Sequence, residues 1–193
     1  HIAGEIKNFD ALEHGLTKKE SRRLGRFVQY AFVASDEAIA QAGLSMADED
    51  PARVAVVFGT GIGGIDELKN GFDTLHDKGP KRVSPLFIPT MIGNIAAGNL
   101  AIRYGMKGEC LDIATACATG THCIGSAVRS IRHGYADVAL AGGTEESINP
   151  ICIAGFSNLG ALSKSDDPTA ASLPFDARRG GFVAGEGAGA LVL

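Results

Sequence analysis

Cys117 is the residue of this 193-residue chain best placed to act as a nucleophile. It stands in the stretch Ile113-Ala114-Thr115-Ala116-Cys117-Ala118-Thr119-Gly120-Thr121, between an apolar run that reads as a strand and an amphipathic run that reads as a helix. After the cysteine, Ile124, Ala127, Val128 and Ile131 recur at the spacing of one helix face. Before it, Leu111 and Ile113 lead into small residues, as where a buried strand ends. Cys117 is therefore expected at a strand-to-helix corner, in or near the first turn of the helix. Unpaired N–H groups and the positive end of the helix dipole point there and favour thiolate, the nucleophilic form, over thiol. Ala116, Ala118 and Gly120 leave room for a substrate to reach the sulfur. A buried structural cysteine is the competing reading, and on these residues alone both stay open. His122 lies too far round the helix to pair easily with the sulfur, so a structural role is expected for it.

A second motif invites a different chemistry. Gly59-Thr60-Gly61-Ile62-Gly63-Gly64 follows the apolar run 53–58 and opens a helical stretch, which satisfies the G-x-G-x-x-G pattern of dinucleotide sites. Such a site needs an acidic residue closing the next strand about 20 residues on. That region, Thr74 to Pro80, reads as a loop, so the glycines read instead as a turn packed close to another backbone or to a ligand.

The elements that must position these motifs can be followed along the chain. Thr17-Lys18-Lys19-Glu20 is a capping box opening a helix expected to run to about Ala42, with Gly43 as its stop. Leu24, Phe27, Val28, Ala31, Ala38, Ile39 and Ala42 form its expected buried stripe. Lys18, Lys19, Arg22, Arg23 and Arg26 crowd its start, where cations oppose the dipole. They face either an anionic partner or only water. Lys78, Lys81 and Arg82 form a second basic cluster. Pro85 and Pro89 bracket an irregular apolar segment, and a small-residue helix follows from about Met91 to Tyr104, stopped by Gly105. The run 110–113 is a strand, and the helix after Cys117 ends near His133-Gly134. The run 137–141 is a buried strand with Gly142-Gly143-Thr144-Glu145 as its turn. Residues 147–162 mix apolar residues with Gly and Pro, 166–181 is loop-like, and 187–193 starts a last strand. This alternation predicts an α/β fold, a mixed sheet between helical layers.

Composition narrows the function. With 45% hydrophobic and 21% charged residues the chain resembles an ordinary globular protein, and a formal charge of −4 argues against general nucleic-acid binding. The four cysteines, at 110, 117, 123 and 152, form no C-x-x-C pair, so no metal is expected, and free thiols fit a reducing cytoplasm. No apolar run approaches a membrane span. The chain opens on His1 without Met and closes on Leu191-Val192-Leu193 in what reads as mid-strand, so both ends are expected to be cut.

Four ordered motifs carry a resemblance: 114–120 around the cysteine, then Gly142-Gly143-Thr144-Glu145, then Pro174-Phe175-Asp176, then Gly185-Glu186-Gly187-Ala188-Gly189. Together they resemble the β-ketoacyl-[acyl-carrier-protein] synthases, nearly end to end. The resemblance implies a thiolase-like layered fold, with residues 1–193 as the N-terminal half of the condensing-enzyme architecture. It implies a cytoplasmic homodimer of fatty-acid synthesis that works with acyl carrier protein and needs no cofactor beyond the carrier's phosphopantetheine arm. It implies a decarboxylative Claisen condensation of acyl-ACP with malonyl-ACP through an acyl-enzyme thioester. Within it Cys117 matches the acyl-accepting nucleophile, and its own N–H one oxyanion donor. Ile62 matches a gate of the acyl pocket, Phe156 a pocket-lining aromatic, and Phe87 a residue approaching the partner subunit's pocket. Lys19, Arg23, Lys81 and Arg82 match positions that receive the acidic carrier. Gly160 departs from the pattern, since some relatives carry Arg there, which weakens the docking patch.

The family's two catalytic histidines lie in His-Gly-Thr-Gly-Thr and Gly-Gly-His motifs. Neither occurs here, and His1, His14, His76, His122 and His133 lack that context. The family's first strand, its second thiolase-like half and its other oxyanion donor are missing too. The chain alone is thus expected to be inactive in condensation and insoluble or oligomeric, with any dimer contact near 110–113. Two relatives of the same architecture compete with the synthase reading. Polyketide ketosynthases commonly show Ser-rich residues after the cysteine, where this chain has Ala118-Thr119-Gly120. Chain-length partner subunits lack the nucleophile, which Cys117 supplies.

Overall fold

A computed structural model describes residues 2–193. In chain order the elements are β1 (Ala3–Gly4), α1 (Lys18–Arg23), α2 (Arg26–Ala42), β2 (Val54–Gly59), α3 (Ile65–Lys78), α4 (Phe87–Met91), α5 (Ile95–Tyr104), β3 (Cys110–Leu111), α6 (Thr119–Arg132), β4 (Val138–Glu145), α7 (Pro150–Asn158), β5 (Ala184–Gly185) and β6 (Gly187–Val192). The main sheet runs β3-β2-β4-β6. The first three strands are parallel and β6 is antiparallel to β4. A second, two-stranded sheet pairs β1 with β5.

Both faces of β2 are covered, so Val54 to Phe58 shows no polar alternation. Val54, Val56 and Phe58, with Leu140 of β4, pack under α2 and α5 against Phe27, Val28, Ala31 and Leu100. Ala55 and Val57, with Ala139 and Ala141, pack on the opposite face against Cys123 and Ala127 of α6. The small residues on this second face let α6 lie close to the sheet. The mixed sheet between helical layers read from the sequence is the architecture observed.

The long first helix is two helices. α1 ends at Arg23, Leu24 is extended, and Gly25 caps α2. The apolar stripe runs unbroken through Leu24, Phe27, Val28 and Ala31, which is why periodicity joins them. A side chain at Gly25 would meet the Phe27 ring at 2.8 Å, so the break is packed shut. α2 buries Gln29, Tyr30, Phe32 and Ser35 as well, whereas Ala42 is exposed. Glu146 accepts the N–H of Phe27 (3.0 Å) and Thr144 donates its hydroxyl to the Phe27 carbonyl (2.6 Å), tying the start of α2 to the end of β4. The break also changes the charge reading. Arg22 and Arg23 occupy the last turn of α1, where the dipole favours cations, whereas Lys18 and Lys19 at the start of α1 and Arg26 at the start of α2 still oppose it.

α1 buries no residue of its own. Its capping box is closed at both ends, and the box's Glu20 pairs with Arg103 of α5 (2.8 Å). Arg103 also pairs with Asp36 of α2 (2.8 Å) and lies 4.7 Å from the centre of the Phe32 ring. One guanidinium therefore holds α1, α2 and α5 together.

Four other expectations are corrected. Residues 74–78 continue α3 instead of forming a loop. The segment between Pro85 and Pro89 is helical, because Pro89 falls within the first turn of α4, where a missing N–H costs no intrahelical bond. The small-residue helix starts at Ile95, not Met91. Residues 142–145 belong to β4 and pair with β6, so they are strand and not turn. In addition, the strand before Cys117 is short and exposed, at the edge of the sheet.

Candidate active site

The corner at Cys117 is sharper than a strand-to-helix step. After Leu111 the chain runs irregularly to Thr115, makes a turn of 3₁₀ helix over Ala116–Ala118, and enters α6 at Thr119. Ala116 has φ of 50°, in the left-handed region that L-residues with a Cβ rarely occupy. This bend turns Cys117 outward, and the residue is exposed. Two contacts hold the bend: Thr115 N–H donates to the buried Thr119 Oγ1 (2.8 Å), and His122 Nδ1 lies 2.7 Å from Thr115 Oγ1. His122 thus braces the corner, in keeping with the structural role expected for it.

Cys117 lines a cleft of about 820 Å³, within the size range of small-molecule sites. Ile62 and Phe156 line the same cleft, with Ile124, Phe182 and the glycines of β2, β4 and β6 around them. The rings of Phe156 and Phe182 meet edge to face at 5.2 Å and form an apolar corner of the cleft. Cys123 and Cys152 are poorer nucleophile candidates, since burial pushes both thiols up and so disfavours their thiolates. Cys110 lies on the edge strand and not in the cleft.

The glycine turn reaches this site through a carboxylate. Glu145, at the end of β4, accepts from the Thr60 hydroxyl (3.1 Å) and from the Gly61 N–H (2.9 Å). Burial pushes its carboxyl up, and these donors pull it back down. A Cβ at Gly61 would stand 2.7 Å from Glu145 Oε2 and 3.4 Å from the Ala116 carbonyl, which is why glycine sits there. The N–H groups that would cradle a pyrophosphate are thus engaged within the protein, Gly61 with Glu145, Gly63 with the Thr60 hydroxyl and Gly64 with the Met91 carbonyl. The segment after the turn is α3, not a strand ending in an acid. The dinucleotide reading has no support in this geometry.

Phe87 is on α4, its ring packed against Gly71 of α3, and does not line the cleft. Lys19 and Arg23 flank a second, smaller groove of about 420 Å³ between α1, α4 and α5, lined also by Leu24, Leu86 and Ile102. Ile102 is 80% exposed there. Lys81 and Arg82 are exposed on a 3₁₀ turn just ahead of Leu86. Gly160 follows α7 on the exposed surface. Sequence reasoning passed over Glu145, Thr119 and Phe182 as members of the site. Glu145 sat in a stretch read as turn, and Phe182 lies just past the stretch read as loop; β4 carries Glu145 to the cleft, and a parallel bridge to Leu162 holds Phe182.

Among the described residues no cluster of three His, Cys, Asp or Glu side chains could hold a metal ion, and no helix is long and apolar enough to cross a membrane.

Comparison with known proteins gives a consistent result. The profile of the family described as "Beta-ketoacyl synthase, N-terminal domain" matches residues 1–193. The chain is 45% identical over all 193 residues to 3-oxoacyl-[acyl-carrier-protein] synthase 2 of Vibrio harveyi, and 48% identical to the protein of that name from Staphylococcus aureus strain N315. It covers 46% of each, so it spans about half the length of the curated relatives it matches. Among solved structures, a β-ketoacyl synthase from Burkholderia phymatum STM815 superposes with a TM-score of 0.83 at 33% identity, over 98% of this chain and 47% of that one. A type II polyketide ketosynthase in complex with its acyl-carrier protein shares the fold, at a TM-score of 0.84 and 24% identity over 99% of this chain and 52% of that one.

Proposed function

The chain belongs to the β-ketoacyl synthase family, and from that membership we propose that the protein elongates acyl chains on acyl carrier protein, with Cys117 as the acyl acceptor. The Cys117 thiolate attacks the thioester carbonyl of acyl-ACP. A new C–S bond forms on Cys117 and the carrier's pantetheine thiol leaves. Malonyl-ACP then loses CO₂, and the carbanion attacks the acyl-enzyme carbonyl. Cys117 departs as thiolate, leaving 3-oxoacyl-ACP two carbons longer. The residues of this chain serve the acyl-transfer half of that scheme, through Cys117 and the cleft it lines.

The observation that carries the proposal is the placement of Cys117. It is exposed at a bend with a left-handed residue before it, and opens into a cleft whose other walls are mostly apolar. An acyl chain needs such walls, and a thioester carbonyl needs such access. Ile62 and Phe156 lie where they would bound the acyl channel, and Phe87 is assigned to the channel of a partner subunit. The exposed edge strand β3 supports a homodimer, because an unpaired edge is a template for a second strand. The name of the curated relatives supports acyl carrier protein as the partner. The phosphopantetheine arm brings the substrate, and the protein itself holds no cofactor in this scheme. The free cysteines are in keeping with a reducing, cytoplasmic setting.

Incubation of the complete protein with radiolabelled acyl-ACP, followed by digestion, is expected to place the thioester on Cys117. Label on Cys110, Cys123 or Cys152 instead would overturn the assignment. Docking has its own test. Lys19 and Arg23 are exposed beside the apolar groove of Leu24, Leu86 and Ile102. Reversing both, Lys19→Glu with Arg23→Glu, is expected to raise the KM for acyl-ACP about tenfold at low salt with kcat little changed. The defect is expected to shrink as salt screens the interaction. An unchanged KM at low salt returns the two residues to a merely solvated surface.

A further inference from the structure

Glu145 stands on the wall of the Cys117 cleft, and none of the steps above uses it. Its contacts are with the turn that carries Ile62. Oε1 accepts the hydroxyl of Thr60, a residue 2% exposed, and Oε2 accepts the N–H of Gly61. The Thr60 hydroxyl oxygen in turn accepts the N–H of Gly63 at 3.1 Å. The turn is therefore pinned on both sides of Ile62 by one chain of hydrogen bonds that ends in one carboxylate. Ile62 itself is 42% exposed, and its neighbours at 61, 63 and 64 are glycines without side chains to hold it. The turn that Glu145 holds also abuts the other half of the site, since a Cβ at Gly61 would stand 3.4 Å from the carbonyl oxygen of Ala116, the residue before the nucleophile.

The geometry points to Glu145 as a positioning residue that fixes Ile62 relative to Cys117 and thereby sets acyl-chain selectivity. This rests on the reading of Ile62 as the gate of the acyl channel. A glycine-rich turn has wide conformational freedom, and a gate that wanders discriminates poorly between chains that end before it and chains that must pass it. A carboxylate suits the task because it only accepts, and the turn offers it only donors. A glutamine would set an NH₂ group against one of those donors, so that bond is lost without any loss of volume.

The test is a comparison of kcat/KM for short- and long-chain acyl-ACP in the complete protein. Glu145→Gln is expected to move the short-to-long ratio toward unity by about tenfold, the scale of effect that small misplacements produce. Thr60→Val keeps the carboxylate and removes one of its donors, and is expected to move the ratio in the same direction. Thr60→Ser restores the hydroxyl and is expected to restore the ratio. Ile62→Ala tests the gate directly. If Ile62→Ala changes the ratio and neither Glu145→Gln nor Thr60→Val does, Glu145 has no positioning role. A uniform fall in kcat for all chain lengths in Glu145→Gln overturns it as well, since that marks a general structural support. If Ile62→Ala leaves the ratio unchanged, the gate reading itself fails and the inference falls with it.

Discussion

Replacing Cys117 by alanine is expected to lower acyl transfer by ~10⁴-fold or more and to leave the fold intact. The side chain is exposed at the mouth of the cleft, so its loss opens no buried cavity. Exposed substitutions of this kind change stability by about 0.5 kcal/mol or less. Cys117→Ser is expected to do no better than alanine, although it is nearly isosteric. A serine hydroxyl needs a neighbouring base to take its proton. The nearest imidazole in sequence, His122, is engaged with Thr115 Oγ1 at 2.7 Å and braces the bend. Mass spectrometry of the intact protein after exposure to acyl-ACP reads the acyl adduct directly, and a denaturation curve checks the fold. An adduct that persists in Cys117→Ala would move the covalent step to another side chain.

Much of the site was legible because its signals are local. An apolar run, small residues, a cysteine and then a 3.6-residue period describe a corner within one stretch of chain, and the corner is there. Gly43 and Gly105 end α2 and α5 in the left-handed conformation that a helix stop requires, and both stops were read correctly. The two-sided burial of β2 was equally plain, since Val54 to Phe58 offers no polar face.

What escaped depends on contacts that the apolar pattern does not report, some of them between residues distant in sequence. The break between α1 and α2 interrupts no apolar period and is set by the Phe27 ring closing over Gly25. The helix α7 hides in a stretch that Gly and Pro make look irregular. Its proline stands at the start, where helices accept it, and Asn149 caps it through the Cys152 N–H. Glu145 is joined to Thr60 across a long span of chain, and nothing near either residue announces the bond. Part of the misplaced charge at the first helix came from its assumed length, because dividing the helix put Arg22 and Arg23 at a favourable end.

Gly142 is the position where that dependence on distant partners is expected to cost most. By local reading Gly142-Gly143 is a turn, and a turn glycine tolerates alanine unless its φ is positive. In the structure Gly142 lies inside β4, paired with Ala190 of β6 and, across the sheet, with Phe58 of β2. A Cβ there would overlap the carbonyl oxygen of Gly189, and would stand 2.6 Å from Phe58 Cε2 and 3.1 Å from the Ala190 Cα. Two of those three obstacles are backbone of the neighbouring strand, and the third belongs to a fully buried ring. The two backbone obstacles cannot yield without opening the β4–β6 ladder, which also forms part of the cleft wall, and the Phe58 ring is enclosed in the core. Overpacking in a closed core costs about 1–3 kcal/mol and more when backbone must move, against a net stability of about 5–15 kcal/mol for a whole domain. Gly142→Val is therefore expected to leave little or no soluble, cooperatively folding protein. Gly142→Ala is expected to lower the denaturation midpoint sharply. Gly189→Ala is the control: nothing lies within 4 Å of a Cβ at that position, and the variant is expected to fold like the parent. Denaturant unfolding of the three variants beside the parent decides the matter, and a Gly142→Val protein of parental stability would return this segment to the turn that its sequence suggests.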